Sequence, residues 1–512
     1  MIFQIIQIII TIITISLVIF ILRTIKNQTF FKRHGVPHET PAPLFGNMLS
    51  IITKKESISD VIKKLYDTHS NAKYIGFYDF TNPVIILRDL ELIKSVAVKN
   101  FESFSDHGIM GPKPNDQLFA RNLFNLKGQE WHDVRSLLSP AFTPWKMKTM
   151  YNLISNSAVN FVDSLLNEME NNKIREMKEA FSRCTNDVII NCAFGITVNT
   201  MENPNNDFYI LGKEATNFAR LYLKIMLMRT FPFLMNILGV KLLRQKVNEF
   251  FNESISSTIN TRDRLQISRP DILQLLMDSR RGNTKIDLSM EEITAQAFVI
   301  YFGAFDTTST TMAFLAHELA LNQEIQRKLQ NEIDITFQNT NGEPTYDEIT
   351  GLEYLDAILK ETMRKYPSFA ALDRICTKEF ELPPSIPGGK SILIKPGMMI
   401  WIPVVGYHYD TNHYENPEIF NPDQFLKYNS ENSKETFFSF GIGPRQCIGS
   451  RFAMLEMKIV FFHLLSHFNF KVCSKTNIPI PLSTKSVGFG ARGGYWIELE
   501  KRENKNDKSV SM

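Results

Sequence analysis

The segment that most limits the possible folds is residues 289–322, SMEEITAQAFVIYFGAFDTTSTTMAFLAHELALN. Ser289 followed by Glu292 is a capping box and marks a helix start. The helical pattern then continues without a break, and its middle is apolar nearly all round. A helix with no polar face has to be enclosed by other elements. The rest of the chain must therefore wrap it. At roughly 100–200 residues per domain, a chain of this length would divide into several domains. No Gly/Ser-rich or charge-block linker interrupts residues 50–500, and no internal repeat is visible. One large domain of residues 46–500 with a minor lobe is expected.

The surroundings of this helix have a mixed texture. KYIGFYDFTNPVIILRD, residues 73–89, reads as two strands around a Thr-Asn-Pro turn. From about 90 to 375 the pattern is mostly helical. Proline then becomes frequent, and SILIKPGMMIWIPV reads as a hairpin around Pro396-Gly397. IGSRFAMLEMKIVFFHLLSHF is again an apolar helix, and residues 501–512, KRENKNDKSVSM, form a polar tail expected to be disordered. The class is α+β, mainly α, with small β-sheets at both ends.

Residues 1–22, MIFQIIQIIITIITISLVIFIL, carry no charge. About 20 apolar residues span a bilayer core. Arg23, Lys26, Lys32 and Arg33 follow with no acid among them, which keeps the body on the cytosolic side. There is no basic n-region and no small-residue cleavage site, so an uncleaved transmembrane anchor is favoured over a signal peptide. Residues 23–45 make a basic, proline-rich neck, and Pro37, Pro41 and Pro43 predict a stiff, extended path. A net charge of +3 gives no reason to expect nucleic acid as a partner. The five cysteines form no C-x-x-C pair, which argues against a disulfide framework or a zinc site. Cys184, Cys192 and Cys473 read as ordinary buried small hydrophobes.

Cys447 differs. It lies in FSFGIGPRQCIGSRF, residues 438–452, between glycines and two residues after Arg445. Gly441 and Gly443 permit backbone conformations or close approaches that a side chain forbids. The start of the following helix favours a negative sulfur, as does the nearby arginine. Gly449 lets that helix pass close to a flat, bulky group. Taken singly, Cys447 and its glycines read as a buried cysteine in a tight turn. The five positions Phe440, Gly443, Arg445, Cys447 and Gly449 together match F-x-x-G-x-R-x-C-x-G, which resembles the haem-binding loop of the cytochromes P450. The resemblance implies the cytochrome P450 fold, haem b (heme b) as cofactor, Cys447 as the axial thiolate ligand of its iron and Arg445 as a propionate partner.

Three further stretches carry the same resemblance. In KETMR, Glu361 and Arg364 share one helix face and can pair; the family has a structural Glu–Arg pair in this place. In GAFDTTST, a glycine and β-branched threonines weaken the middle of the long helix, and local widening at a groove is expected there. By resemblance Thr307 hydrogen-bonds the iron-bound dioxygen or a water, and Asp306 helps to deliver protons. The family usually has glycine where this chain has Ala304. In WHDVRSLLSPAFT, Trp131 and Arg135 are four apart and can face one object. An indole N–H and a guanidinium suit a carboxylate, and the family holds a haem propionate with such a pair. Arg374 in ALDRIC and His107 in FSDH look like further propionate contacts. In FNPDQF the family usually has arginine where this chain has Gln424, whose amide donates a hydrogen bond without charge. The Glu–Arg network is therefore expected in weaker form.

The resemblance covers essentially the whole chain, and its closest flavour is the microsomal type of insect detoxification enzymes. It implies a monooxygenase that inserts one oxygen atom from O2 into lipophilic xenobiotics, lipids or hormones. No flavin or nicotinamide glycine fingerprint is present, so electrons come from outside. The implied partner is NADPH-cytochrome P450 reductase, with cytochrome b5 as an optional second donor, in the endoplasmic reticulum membrane. Lys146, Lys148, Lys360 and Lys365 are candidates for a basic docking face, with a merely solvated surface as the alternative. Residues 218–239, rich in Leu, Met and Phe, with PSFAAL and TKSVGFG, fall where family members line the substrate pocket. A thiolate-haem isomerase or dehydratase and a haem-based gas sensor are the competing readings, and the Asp306-Thr307 pair argues against the first.

Overall fold

The computed structural model of the protein describes residues 2–108, 116–169, 172–279, 287–426, 435–484 and 488–503. It divides into two compact units. The first comprises residues 1–109, 370–406 and 442–444, and the second residues 110–369, 407–441 and 445–512.

In the first unit, helix α1 runs Ile2–Gln28 and α2 runs Phe30–His34. Several α1 side chains, Ile9 and Leu17 among them, lie outside the described residues. Among the described residues no helix is long and apolar enough to cross a membrane. The segment after α1 is not extended throughout. Phe31 is buried, its N–H donates to the Tyr78 hydroxyl, and the Gly76 N–H donates to the Pro37 carbonyl. A Cβ at Gly76 would sit 2.4 Å from the Phe31 ring, so the missing side chain is what admits it.

Those contacts seat the segment on a four-stranded sheet of order β1-β2-β7-β4, formed by β1 (Tyr74–Asp79), β2 (Asn82–Leu87), β4 (Leu372–Ile375) and β7 (Met399–Ile402). The first turn falls on Phe80–Thr81, because Asp79 pairs with Asn82; Asn82 and Pro83 belong to β2. Pairing of β2 with β7 begins at Val84, beyond the proline that has no N–H to give. The expected hairpin at Pro396-Gly397 does not form. β6 (Ile392–Ile394) pairs with β5 (Phe380–Leu382), whereas β7 runs parallel to β2 and antiparallel to β4. Burial explains the split. Every residue of β7 is buried, as an interior strand requires, while β6 buries alternate residues and suits a two-stranded edge.

In the second unit the described helices that frame the site are α3 (Gly128–Leu138), α4 (Pro144–Met169), α5 (Met177–Ile189), α6 (Met290–Leu321), α7 (Glu353–Lys365) and α8 (Ser450–His467). Its three-stranded sheet has the order β3-β9-β8, with β3 Ile174–Glu176, β8 Phe468–Lys471 and β9 Trp496–Lys501. Both halves of the Ser289–Glu292 capping box are present at the start of α6. The apolar middle is enclosed as expected, by α5, by the helix Gln245–Leu265, and by α7 and α8. Phe298, Phe305, Phe314, Leu315 and Leu319 are buried, and burying a side chain of this size contributes about 1.5–3 kcal/mol.

The expected widening of α6 is absent; the helix is α-helical from Met290 to Leu321. Its hydroxyls find acceptors within the helix by donating to carbonyls four residues back: Thr307 to Gly303 (2.7 Å), Ser309 to Phe305 (2.6 Å) and Thr311 to Thr307 (3.0 Å). Of the polar tail, residues 504–512 lie outside the described residues.

Candidate active site

The cysteine loop is built on its own backbone. The Cys447 N–H donates to the Phe440 carbonyl at 2.8 Å, and the Gly441 N–H donates to the Phe438 carbonyl at 2.8 Å. Gly441 and Gly443 have φ of 89° and 72°, a region side chains disfavour. At Gly443 a Cβ would also lie 2.1 Å from the Ala97 carbonyl oxygen, so the expected close approach is real and is to protein. At Gly449, the N-cap of α8, a Cβ would meet only Phe142, at 3.8 Å. That position is open on a scale that suits a flat group.

Cys447 is exposed and free. Protein nevertheless surrounds the sulfur closely enough that burial pushes its thiol up, while the Gly449 N–H and the Arg135 charge pull it back. Both opposing effects favour a thiolate; the helix-start N–H is the one expected, whereas the charge is that of Arg135 rather than of the expected Arg445.

Trp131 and Arg135 do face one object, and among their recorded contacts that object is the cysteine loop. The Arg445 guanidinium lies 4.0 Å from the centroid of the Trp131 ring. Arg445 is buried and donates to the Leu126 carbonyl at 2.9 Å, with a longer contact of 3.5 Å to Leu123. Arg135 donates to the Gln446 carbonyl at 2.8 Å. Helix α3 thus holds the two residues that precede the cysteine.

Arg374, on β4, is buried. It donates to the Asp373 carbonyl and, at 3.0 Å, to the Ile442 carbonyl. Its Nε is buried with no hydrogen-bond partner. Burial lowers its pKa to about 10 against the pull of Asp373. His107 does not stand free; its Nδ1 lies 2.9 Å from Asp373 Oδ1. Burial alone would raise Asp373, but His107, the Gly108 N–H and Arg374 hold its carboxyl well below the usual range.

On α6, Gly303 is exposed although the helix is otherwise enclosed, and a Cβ built there meets nothing within 4 Å. Thr307 places its hydroxyl on the Gly303 carbonyl, beside that opening. Phe119, Phe298 and Phe302 pack edge-on or tilted next to it, with ring centroids 5.2–5.8 Å apart. Asp306 is held from α5: Lys178 donates to its Oδ1 at 2.8 Å and to Ser309 Oγ at 2.6 Å. Lys178 carried no local signal, since it meets Asp306 across 128 residues.

Below the loop, Glu361 and Arg364 form a two-point ion pair at 2.7 and 2.8 Å, both buried. Burial raises the Glu361 carboxyl against the pull of Arg364, the Asn421 N–H and Gln424. Gln424 donates to Glu361 Oε2 at 2.7 Å, so the network closes through a neutral amide as anticipated.

The donor set fits a haem. It offers an accessible sulfur for iron, with open space at Gly303 and only Phe142 near Gly449.

A family model described as cytochrome P450 matches residues 36–497. The chain belongs to the cytochrome P450 family. Curated relatives include cytochrome P450 9e2 of Blattella germanica, 39% identical, covering 93% of this chain and 95% of the relative. Probable cytochrome P450 9f2 of Drosophila melanogaster is 36% identical over 93% and 96% of the two chains. Cytochrome P450 6a2 of Drosophila melanogaster is 34% identical over 93% and 96%. Like the rest of this family of haem-thiolate monooxygenases, the P450 uses haem iron as its cofactor.

Of the lysines considered for docking, Lys365 is half-buried on Glu318 at 2.8 Å. Lys148 pairs with Asp347 and Lys360 with Asp356. Lys146 lies over the exposed ring of Trp145. In the segment 218–239, Phe233, Ile237 and Leu238 are exposed, Phe233 by 79%. Several side chains of residues 218–223, and residues 485–487 of TKSVGFG, lie outside the described residues.

Proposed function

We propose that this P450 is a membrane-anchored monooxygenase that inserts one atom of O2 into a lipophilic small molecule, with NADPH as electron source through a reductase. In this reading Cys447 is the axial ligand, Arg445, Arg135 and the Trp131 N–H are propionate partners, and Arg374 is a further one by the family resemblance. The observation that carries it is the Cys447 sulfur, which is accessible and faced by both the Gly449 N–H and Arg135. With haem bound, reductive O2 activation takes place there, one oxygen entering the substrate and the other leaving as water.

The chain's residues supply the rest. Gly449 and Arg135 oppose the burial that pushes the thiol up, and so favour the anionic sulfur. Thr307 holds a proton on Oγ1 beside the opening at Gly303, and Asp306, pinned by Lys178, is the acid next to it in the chain. Phe119, Phe298 and Phe302 exclude water and favour apolar substrates. Exposed apolar side chains along α1, such as Phe3, Ile8 and Ile19, with those at Phe233 and Ile237, support anchoring in the endoplasmic reticulum membrane. The absence of charge up to Arg23 supports it as well.

The test uses full-length protein in membranes with reductase, NADPH and a panel of lipophilic compounds, products being read by mass spectrometry. NADPH-dependent products carrying one added oxygen are expected. Haem binding without any NADPH consumption would instead identify a sensor. Cys447→Ala should lose the red-shifted band of the reduced, CO-bound haem, and a variant that keeps it removes Cys447 as ligand.

A further inference from the structure

The mechanism above leaves one fully buried histidine without a role. His408 is the last residue of the short helix Val404–His408. Its Nδ1 lies 3.0 Å from the Arg364 carbonyl, and its Nε2 lies 3.1 Å from the Phe438 N–H. These partners dictate its chemistry. A carbonyl only accepts, so Nδ1 must carry the proton; an N–H only donates, so Nε2 must be bare. The ring is therefore neutral and in one tautomer. Burial and the Arg364 charge agree, pushing its pKa down to about 3. Both faces of the contact are reciprocal or reinforced. Arg364 returns a hydrogen bond to the His408 carbonyl at 2.7 Å, and the imidazole stacks on Phe437 with planes 7° apart.

Phe438 is where the cysteine loop begins. Its carbonyl takes the Gly441 N–H, the Ser439 hydroxyl reaches the Met363 carbonyl at 3.0 Å, and the Phe440 carbonyl takes the Cys447 N–H. An unbroken run of hydrogen bonds and short backbone steps thus joins Glu361 and Arg364 to Cys447, bridged by the His408 ring and, beside it, by the Ser439 hydroxyl. We propose that His408 is a positioning residue that sets the height and orientation of the Cys447 loop, transmitting the Glu361–Arg364 pair to the sulfur through the Phe438 amide. The proposal rests on reading Cys447 as the thiolate ligand.

Three variants separate the contacts. His408→Gln places an amide oxygen where Nε2 accepts and keeps the bond to Phe438. His408→Asn keeps a donor near Nδ1 for Arg364 and loses Phe438. His408→Phe keeps the stack on Phe437 and loses both bonds. The probe is CO added to reduced holoprotein, and the readout is the fraction of haem in the red-shifted thiolate band against the unshifted thiol band. Losing the Phe438 bond should move that equilibrium about tenfold toward the unshifted band, the effect of one buried hydrogen bond. The expected order of loss is Phe, then Asn, with Gln near wild type.

If all three variants bind haem and keep the wild-type ratio, the proposal is overturned. A lowered yield of holoprotein with an unchanged ratio means a merely structural histidine and overturns it equally. If His408→Phe does not fold, the Asn and Gln pair still decides. A wild-type protein with no thiolate band, or a Cys447→Ala variant that retains it, sinks the ligand assignment instead, so the two failures are distinguishable.

Discussion

Glu456 offers the most quantitative test of the packing around α8. It lies fully buried six residues after the start of that helix, and neither carboxylate oxygen has a hydrogen-bond partner. Its recorded neighbour is Thr185 of α5, whose hydroxyl approaches without a well-formed bond. Burial raises the Glu456 pKa to about 8, with Thr185 opposing. The unfolded chain titrates near the ordinary value of 4.5. Between those two values the folded protein holds a proton that the unfolded chain has released. Stability is therefore full below about pH 4.5, falls as pH rises, and levels off above about pH 8. At about 1.4 kcal/mol per pH unit the whole window is worth about 5 kcal/mol, of which about 3 is lost by pH 7. Glu456→Gln keeps the shape and cannot ionise. It should be less sensitive to pH by that amount, gaining on wild type with every unit from pH 5 to 8. Urea midpoints of holoprotein followed by circular dichroism across pH 5–9 measure this. Wild-type and Gln curves that run parallel over that range refute a neutral buried carboxyl.

Other outcomes follow from single contacts. Gly303→Ala adds a methyl that meets no protein atom. It should raise thermal stability by about 0.5–1 kcal/mol, as alanine does in a helix interior, while weakening the spectral binding of bulky azole ligands; unchanged azole affinity would show that the opening is not part of the ligand space. Thr307→Ala should raise peroxide release per NADPH consumed without loss of haem, and unchanged coupling removes the proposed proton role. Asp271→Ala leaves Arg262 buried without its two-point partner at 2.8 and 2.5 Å. Denaturant unfolding should show a loss of about 3–5 kcal/mol, and a change under 1 kcal/mol would mean that water reaches the site.

What was legible in the sequence was what is encoded locally. Ser289 and Glu292 announced the start of α6 because a capping box closes within four residues. The cysteine loop was legible because its glycines, arginine and cysteine act on one another within ten positions. The Pro396-Gly397 turn was misassigned for the converse reason. A turn signal fixes where the chain reverses, but only the tertiary setting decides that Ile392–Ile394 pairs with Phe380–Leu382 while Met399–Ile402 enters another sheet. The widening expected in α6 failed because propensity ignores tertiary packing, and the helices packed around α6 hold the weak stretch α-helical.

His408 and Lys178 show the limit most clearly. Neither stands in a pattern, and each acquires its role from a partner that folding brings near, 30 residues away for His408 and 128 for Lys178. Both contacts are with groups that any sequence supplies, a backbone amide in one case and a common acid in the other. The residues that touch a haem must have particular chemistry, so they leave a motif. The residues that hold those residues in place need only reach a backbone N–H or C=O, so they leave none. The Arg135 and Arg374 side chains donate to backbone carbonyls of the cysteine loop, and Arg445 donates out of it to the Leu126 carbonyl. Even the recognisable motif positions are therefore seated by contacts that the motif does not mention. A chain that keeps the five loop positions but loses His408 would still match the pattern while presenting the sulfur differently, and the CO spectrum of the His408 variants separates those two properties.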